Sequence, residues 1–320
     1  MSCKSCNLKA GWTQSLFECK KPGCGERFCS NCLNYALSND QTDNHIKSFC
    51  KSCFIRLSSL DYTKSVEVIG LERGKGPSVV FVHGAGGCRT MFSIHARKLS
   101  SKYRCILMDL PGHGSLMDTP LSLESAISTI LSVTKEYASD YNGKKPIYVG
   151  ASLGGYIGME LLGSHPDVFS KAAILMAGQD VGTGRGMTAS LGLFVMGSLF
   201  PSLSAEAMLK GMNSQAKGNG HISDAVLKEM VLSHGYFFNQ VGKHIEILKH
   251  SNPRASLPKY EGPILFINGS KDHRDSEKVW LESSKHGKLI VYEGTDHFFS
   301  HDDRYLDKLI QDLDEFLKNP

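Results

Sequence analysis

Long apolar runs are missing from this chain of 320 residues, although 41% of its side chains are hydrophobic. No stretch of about eighteen mainly apolar residues occurs, which argues against a transmembrane helix. The opening MSCKSCNLKAG lacks the apolar core of a secretion signal, so we expect a cytoplasmic protein. We find no internal repeat of about 20 to 50 residues, which argues against solenoid folds.

The net charge is also small, with a formal value of +4 at pH 7. Residues 1–60 carry eight basic and four acidic side chains, and residues 61–320 are balanced. An excess this small gives no argument for nucleic acid as a partner. Any attraction to an anionic surface has to come from the amino-terminal segment.

Cysteine is rare after residue 53, and the two later ones, Cys88 and Cys105, are expected to be core or loop residues. The other eight form four pairs, three of them with the CxxC spacing that lets two thiolates reach one ion. A segment of about 55 residues has too small an apolar core to fold without such staples. Disulfides in an unconventionally secreted protein are the alternative, but a reducing compartment favours zinc. We therefore predict a small zinc-binding domain at 1–60 and a large domain at 61–320.

The runs GERFCSNCL and KSFCKSCFIRL resemble the second half of FYVE-type zinc fingers. In that family the cysteine pairs interleave in a cross-brace. The resemblance implies two structural zinc ions, one at Cys3, Cys6, Cys29 and Cys32, and the other at Cys19, Cys24, Cys50 and Cys53. A RING finger is the runner-up, but no histidine lies between Cys6 and Cys32.

The phosphoinositide-binding residues of FYVE domains are mostly absent here. The family's basic run RRHHCR corresponds to SLFECKKPGC, and too few residues precede the first cysteine for the WxxD motif. Lys20 and Lys21 are the nearest substitutes, and two lysines contribute only about 1 kcal/mol each at a membrane surface. A degenerate, structural or protein-binding finger is therefore favoured over a lipid-binding one. Trp12, Leu16 and Phe17 fit a membrane-inserting tip or the small core equally well.

From about residue 61, short apolar runs alternate with helical patterns. The runs are SVVFVHG, RCILMDL, KPIYVG, KAAILMAG, GPILFING and KLIVYEG. Unbroken runs of this kind are typical of strands buried on both faces. The helical patterns include SLESAISTILSVTKEYA and LGGYIGMELLGSH. This alternation predicts an α/β fold with a doubly wound, mostly parallel sheet.

Ligands bind at the carboxyl ends of such strands, so the residues after each run are the candidates for a site. KPIYVG is followed by ASLGG, which completes a G-x-S-x-G motif around Ser152 between a predicted strand and a predicted helix. SVVFVHG opens a glycine-rich loop whose N–H groups could face a developing oxyanion. GPILFING precedes Asp272, and KLIVYEG precedes His297.

These motifs, with the run DLPGHGS at 109–115, resemble the α/β-hydrolase superfamily over residues 65–318, and the run is close to the esterase, lipase and monoacylglycerol-lipase-like members. A serine hydroxyl needs an adjacent base, for which His297 is the candidate. That histidine needs a carboxylate, for which Asp272 is the candidate. The oxyanion would lie between the N–H groups of Leu153 and Ala85. A serine nucleophile, here Ser152, implies an acyl-enzyme route.

Each assignment has a competitor. Asp180 follows the run KAAILMAG, the strand before GPILFING, and some hydrolases place their acid there. Asp296 is adjacent to His297 in the sequence. We favour Asp272 and expect Asp296 to be a solvated turn residue. His83 and His113 occupy motif positions where histidine usually makes structural hydrogen bonds.

Residues 179–260 are too long for a simple crossover and predict a cap over the active site. Within them, 186–205 carry no charged side chain and fit either a mobile apolar lid or a packed cap helix. We therefore predict a serine hydrolase that cleaves carboxylic esters, including lipid esters. Its finger would dock it on a protein partner or peripherally on endomembranes. The alternatives are a zinc-finger adaptor with an inactive body, and a thioesterase or peptidase of the same fold.

Overall fold

A computed structural model describes residues 4, 16–19, 23–29, 33–37, 46–57, 60–178, 241–272 and 274–318. The strands are β1 (Leu16–Glu18), β2 (Arg27–Cys29), β3 (Leu33–Leu37), β4 (Ile46–Cys50), β5 (Val66–Gly70), β6 (Ser78–Val82), β7 (Arg104–Met108), β8 (Ile147–Ala151), β9 (Lys171–Leu175), β10 (Ile264–Gly269) and β11 (Gly287–Tyr292). The α-helices are α1 (Lys51–Leu57), α2 (Ser93–Leu99), α3 (Leu123–Tyr137), α4 (Leu153–Ser164), α5 (Val241–His250), α6 (Pro253–Ser256), α7 (Arg274–Ser283) and α8 (Asp303–Lys318). Short 3-10 turns occupy Arg89–Phe92, Gly114–Leu116, Leu257–Lys259 and Phe299–His301.

Seven strands form one sheet in the order β11-β10-β9-β8-β6-β7-β5. Strand β5 runs antiparallel to β7 at one edge, and the other neighbours are parallel. The six parallel strands coincide with the six apolar runs of the sequence. The predicted α/β fold with a mostly parallel sheet is therefore confirmed.

The sheet separates two layers of hydrophobic core. Because successive side chains of a strand point to opposite faces, β6 contributes to both layers. Val80 packs on one face in a cluster that includes Ile130 of α3. Phe81 packs on the other face with Ala96 of α2 and Leu313 of α8. Both faces of the sheet are thus covered by helices.

Helix α3 begins with reciprocal hydrogen bonds at its amino terminus. The Ser122 hydroxyl accepts from the Ser125 N–H at 3.0 Å, and the Ser125 hydroxyl accepts from the Ser122 N–H at 2.9 Å. This capping box satisfies two backbone donors that a helix start would otherwise expose.

The first described elements form two antiparallel pairs, β1 with β2 and β3 with β4, and α1 follows β4 directly. Helix α1 contacts the large domain through Phe54, which is buried and meets the ring of Tyr62 edge to face at 6.4 Å. Lys51 pairs with the carboxylate of Asp118. The FYVE-type architecture stays a prediction.

Within the described ranges, no helix combines the length and apolarity needed to cross a bilayer. Of the predicted cap at 179–260, the structure describes only the part from residue 241 onward. The apolar 186–205 stretch lies outside the described residues.

Candidate active site

Ser152 lies in the sharp turn between β8 and α4. Its backbone has φ +49° and ψ −116°, and residues other than glycine rarely adopt a positive φ of this kind. The turn is held by a hydrogen bond of 2.8 Å from the Ser152 N–H to the Leu175 carbonyl of β9. The strand and the helix thus hold the serine at the carboxyl edge of the sheet.

The glycines of the G-x-S-x-G motif make this turn sterically possible. A Cβ atom on Gly154 would lie 2.4 Å from the Val82 carbonyl oxygen. One on Gly150 would lie 2.5 Å from the Gly154 carbonyl oxygen. Both clashes are with backbone atoms, so the close approach of α4 to β6 requires glycine at 154, and its close approach to β8 requires glycine at 150.

Ser152, His297 and Asp272 come together although they are far apart in the chain. The Nε2 atom of His297 lies 3.1 Å from the Ser152 Oγ atom. Its Nδ1 atom lies 2.7 Å from the Oδ2 atom of Asp272. The Asp272 side chain is 6% exposed and that of His297 is 35% exposed. The His297 ring is therefore accessible to a small molecule, while its carboxylate partner Asp272 is shielded from water.

The loops that carry Asp272 and His297 are joined by hydrogen bonds. The Lys271 N–H donates to the Thr295 carbonyl at 2.9 Å, and the Gly294 N–H donates to the Ser270 hydroxyl at 2.8 Å. These loops follow β10 and β11, which pair in register. The adjacent strands therefore fix the Asp272–His297 spacing.

Asp296 has a different local role. Its carboxylate accepts from the Phe298 N–H at 3.0 Å, closing the turn that holds His297. The competing acid candidate, Asp180, lies outside the described residues.

The glycine-rich loop after β6 lies beside the serine. A Cβ atom on Gly84 would approach Cβ of Ser152 to 3.2 Å. The loop closes on itself through the Gly87 N–H and the Gly84 carbonyl at 3.2 Å. Ala85 lies within this turn, and Leu153 is the first residue of α4, whose N–H has no partner inside the helix. Both candidate oxyanion donors thus belong to segments next to Ser152.

His83 and His113 are fully buried beneath this loop. The Nε2 atom of His83 accepts from the Leu110 N–H at 3.0 Å. His113 lies with its Nδ1 atom 2.9 Å from the Pro111 carbonyl. Burial lowers the pKa of His83 to about 4 and that of His113 to about 3, so both rings are neutral at pH 7.

Arg89 and Asp109 form a buried ion pair close to the glycine-rich loop, and this pair was not predicted from the sequence. Arg89 and Asp109 are 3% and 0% exposed and lie 2.7 Å apart, Nη1 to Oδ2. The Ser115 N–H donates to the same carboxylate oxygen at 3.0 Å, and Nη2 of Arg89 donates to the Asp61 carbonyl at 2.6 Å. Gly114 is required beside it, since its φ is +52° and a Cβ atom would lie 2.2 Å from the carboxylate. The DLPGHGS run therefore supplies both the buried carboxylate of Asp109 and, at Gly114, the glycine that leaves room for it.

Four cysteines of the amino-terminal segment converge in the structure. The sulfur atoms of Cys19, Cys24, Cys50 and Cys53 all lie within 4.8 Å of one another. The Cys24 and Cys50 sulfurs are 3.9 Å apart, far longer than a disulfide of about 2.0 Å. The Cys50 N–H donates to the Cys19 sulfur at 3.3 Å. This donor set suits a tetrahedral zinc ion, whose sulfur ligands at about 2.3 Å would be about 3.8 Å apart.

The remaining predicted finger residues are not brought together by the described part of the chain. Cys29 ends β2, and its side chain is outside the description. Five more lie outside the described residues: Cys3, Cys6, Cys32, Lys20 and Lys21. Cys88 and Cys105 are buried in the large domain, away from the four-cysteine group.

Comparison with known proteins identifies the large domain. The alpha/beta hydrolase family model matches residues 79–311. Pimeloyl-[acyl-carrier protein] methyl ester esterase from Xanthomonas campestris pv. campestris (strain B100) is 22% identical over 264 residues, covering 74% of this chain and 94% of that relative.

Solved structures agree on the fold. The enol-lactonase from Burkholderia xenovorans LB400 superposes with a TM-score of 0.63 at 15% identity, covering 79% of this chain and 96% of the other. The monoacylglycerol lipase from Paleococcus ferrophilus gives a TM-score of 0.55 at 19% identity, covering 79% and 97%. The family model covers well over half of the sequence. The chain therefore belongs to the alpha/beta hydrolase family.

Proposed function

We propose that this protein is a serine hydrolase that cleaves carboxylic esters through an acyl-enzyme intermediate. The observation that carries the proposal is the chain of two short contacts, 3.1 Å from Ser152 to His297 and 2.7 Å from His297 to Asp272. A serine, a base within hydrogen-bond reach and a buried carboxylate behind that base are the groups that activate a hydroxyl nucleophile.

In the acylation step, the Ser152 oxygen attacks the ester carbonyl carbon while Nε2 of His297 takes the hydroxyl proton. Negative charge develops on the carbonyl oxygen, where the N–H groups of Leu153 and Ala85 would stabilise it. The bond to the alcohol oxygen then breaks, and His297 returns its proton to the departing alcohol. Asp272 stabilises the imidazolium form of His297 throughout.

Deacylation repeats the sequence with water as the nucleophile. His297 removes a proton from the water, the hydroxide adds to the acyl carbon, and the bond to Ser152 breaks with return of the proton to its oxygen. The products are a carboxylic acid and the free enzyme.

An ester is favoured over an amide or thioester by the relatives. They are named as a methyl ester esterase, an enol-lactonase and a monoacylglycerol lipase. Lipid esters are the narrower form of the proposal, because the segment predicted to cap the site is rich in apolar residues. Rates on p-nitrophenyl esters of increasing acyl length, beside a matched thioester and anilide, test both points. Faster cleavage of the thioester or anilide would contradict the ester assignment.

The direct test is labelling by a fluorophosphonate probe, which reacts covalently with activated serines. Wild-type protein should be labelled and Ser152→Ala should not. Ser164→Ala is the matched control, because Ser164 is exposed near the far end of the same helix. A folded wild type that stays unlabelled would contradict the proposal and favour the adaptor alternative.

We also propose a structural zinc ion held by Cys19, Cys24, Cys50 and Cys53, with the second predicted ion on the remaining cysteines. Cys19, Cys50 and Cys53 are buried, and the four sulfurs lie within 4.8 Å of one another. Bound zinc would cross-link two segments that are 26 or more residues apart, such as those of Cys24 and Cys50. It would thus stabilise a domain too small for a large core.

Metal content tests this site without any activity assay. Cys24→Ser should lower the zinc content measured by mass spectrometry by about one ion per chain, since four thiolates hold one ion. Cys105→Ser removes a buried thiol outside the group and should leave the content unchanged. Equal zinc in both variants, or none in the wild type, would contradict the zinc assignment.

The finger would dock the enzyme on a membrane or a protein partner. If an anionic membrane is the target, replacing Lys20 and Lys21 together should weaken sedimentation with vesicles that contain phosphatidylinositol 3-phosphate. Unchanged sedimentation would exclude this route and leave a protein partner or a purely structural finger.

A further inference from the structure

Three buried histidines lie in a row behind the glycine-rich loop. His83, His113 and His244 are 1%, 0% and 4% exposed. The ring centroids of His83 and His113 are 4.9 Å apart, as are those of His113 and His244, whose planes differ by only 17°. His244 lies on α5, so the row connects that helix to the segment beside Ser152.

The contacts assign the protons of this row. Nδ1 of His113 lies 2.9 Å from the Pro111 carbonyl oxygen, which only accepts, so Nδ1 carries the hydrogen. Nε2 of His113 is therefore an acceptor with one lone pair. The Nε2 atom of His244 lies 2.9 Å from it and must carry the hydrogen that joins them.

The same lone pair receives a second donor from the loop. The Gly86 N–H points at Nε2 of His113 with a nitrogen–nitrogen distance of 3.4 Å. Gly86 directly follows Ala85, the candidate oxyanion donor. The orientation of the His113 ring thus determines where the acceptor for the Gly86 N–H lies.

Neutral rings are required for this arrangement. Burial lowers the pKa of His113 to about 3 and that of His244 well below 6.5, and each pKa is lowered further by a neighbouring histidine. Both rings are therefore uncharged at neutral pH, and one hydrogen lies between the two Nε2 atoms.

We propose that His244 is a positioning residue for the oxyanion hole. By donating to Nε2 of His113, it fixes the acceptor to which Gly86 is bound and so holds Ala85 in place for the transition state. This inference rests on the proposed serine hydrolase function. It makes α5, which lies in the last part of the predicted cap segment, a support of the catalytic loop.

Two amide variants separate positioning from space filling. The side-chain nitrogen of glutamine in His244→Gln can occupy the place of Nε2 and still donate, whereas that of asparagine in His244→Asn falls short. We expect His244→Gln to retain kcat within about threefold, while His244→Asn loses about tenfold or more with KM changed less than about twofold, because displaced oxyanion donors affect the transition state. Both are assayed on p-nitrophenyl butyrate and by the rate of fluorophosphonate labelling.

His250→Gln and His250→Asn are matched controls, because His250 is exposed at the end of the same helix. Equal kcat for both His244 variants, whether like the wild type or equally reduced, would overturn the positioning role and leave only packing. A wild type that the probe does not label would overturn the proposed function itself. A labelled wild type with matching variants overturns this inference alone.

A second measurement needs no variant. Long-range proton–nitrogen NMR correlations report which ring nitrogen of each histidine is protonated. The proposal requires hydrogen on Nδ1 of His113 and on Nε2 of His244. The opposite assignment of either ring would overturn it, even if the asparagine variant failed to fold.

Discussion

Tyr148 donates its hydroxyl hydrogen to the carbonyl of Gly154 over 2.5 Å, bridging the strand before Ser152 and the helix after it. The ring occupies space that two glycines leave open. A Cβ atom on Gly150 would lie 2.6 Å from the ring, and one on Gly158 would lie 2.3 Å from it. The glycines near Ser152 therefore leave room for this hydrogen-bonded ring as well as for the sharp turn.

Removing that hydroxyl should affect stability and catalysis together. Tyr148→Phe leaves the buried Gly154 carbonyl without this donor, which should cost about 1–3 kcal/mol of unfolding free energy. We also expect kcat to fall about three- to tenfold, because Gly154 adjoins Leu153, the candidate oxyanion donor. Denaturant unfolding and ester hydrolysis measure the two effects.

Tyr260→Phe is its matched control. Tyr260 is equally buried and donates to the Phe169 carbonyl at 3.0 Å, far from Ser152 in the chain. It should lose similar stability with kcat unchanged. An equal fall of kcat in both variants would show that activity is lost through lower overall stability, not through displacement of the segment next to Ser152.

Asp272 and Asp296 should differ sharply when each is changed to asparagine. Asp272→Asn removes the charge that orients and stabilises His297, and kcat should fall by about a thousand- to ten-thousandfold. Asp296→Asn keeps an oxygen acceptor for the Phe298 N–H and should change kcat by less than about threefold. Steady-state kinetics on one ester suffices. The reverse order would mean that Asp296 is the triad acid.

The Arg89–Asp109 pair should be far more sensitive to truncation than an exposed pair. Arg89→Met leaves an uncompensated carboxylate that is 0% exposed, and the unfolding free energy should fall by about 3–5 kcal/mol. Lys98→Met breaks an exposed pair with Asp307 and should cost less than about 1 kcal/mol. Denaturant unfolding compares them, and equal losses would contradict the buried role.

His95 should make stability depend on pH. Burial lowers its pKa from 6.5 to about 3, and its Nε2 atom lies 2.9 Å from the Ser300 carbonyl. Between these pKa values the unfolded chain binds a proton that the folded chain does not. Its contribution is therefore complete above about pH 6.5 and is lost as the pH falls toward about 3.

His95→Gln keeps a donor for Ser300 and removes the titrating ring. The slope of unfolding free energy against pH, measured between about pH 5.5 and 4.5, should decrease by about 1.4 kcal/mol per pH unit. His165→Gln, at an exposed position, should leave the slope unchanged. Identical slopes for both variants and the wild type would refute the assignment.

The sequence was most informative where one local pattern determines one element. Each unbroken apolar run became a parallel strand, because strands buried on both faces need no polar alternation. The edge strand β5 was not among these runs, since its sequence VEVIG contains a charge and is only half buried. The positions of Ser152, Asp272 and His297 followed from the ends of those strands.

Contacts between distant segments had no such signal. Arg89 shows no pattern that points to Asp109, because their pairing depends on how two loops close over one another. His244 lies in the run VGKHIEILKH, where apolar and polar residues mix and nothing distinguishes a buried histidine from an exposed one. Asp109 was the exception, since its place in the DLPGHGS run could have marked it as a buried structural carboxylate.

Strands β9 and β10 pair directly with each other, although the segment predicted to cap the site lies between them in the chain. Ala172 aligns with Ile264, although 91 residues separate them in the chain. Because the two strands are neighbours, the segment that connects them places no strand between them in the sheet. A segment from a relative that replaces only the connecting residues before α5 could therefore act as an exchangeable module, leaving Ser152, Asp272, His297 and the contact of His244 with His113 in place.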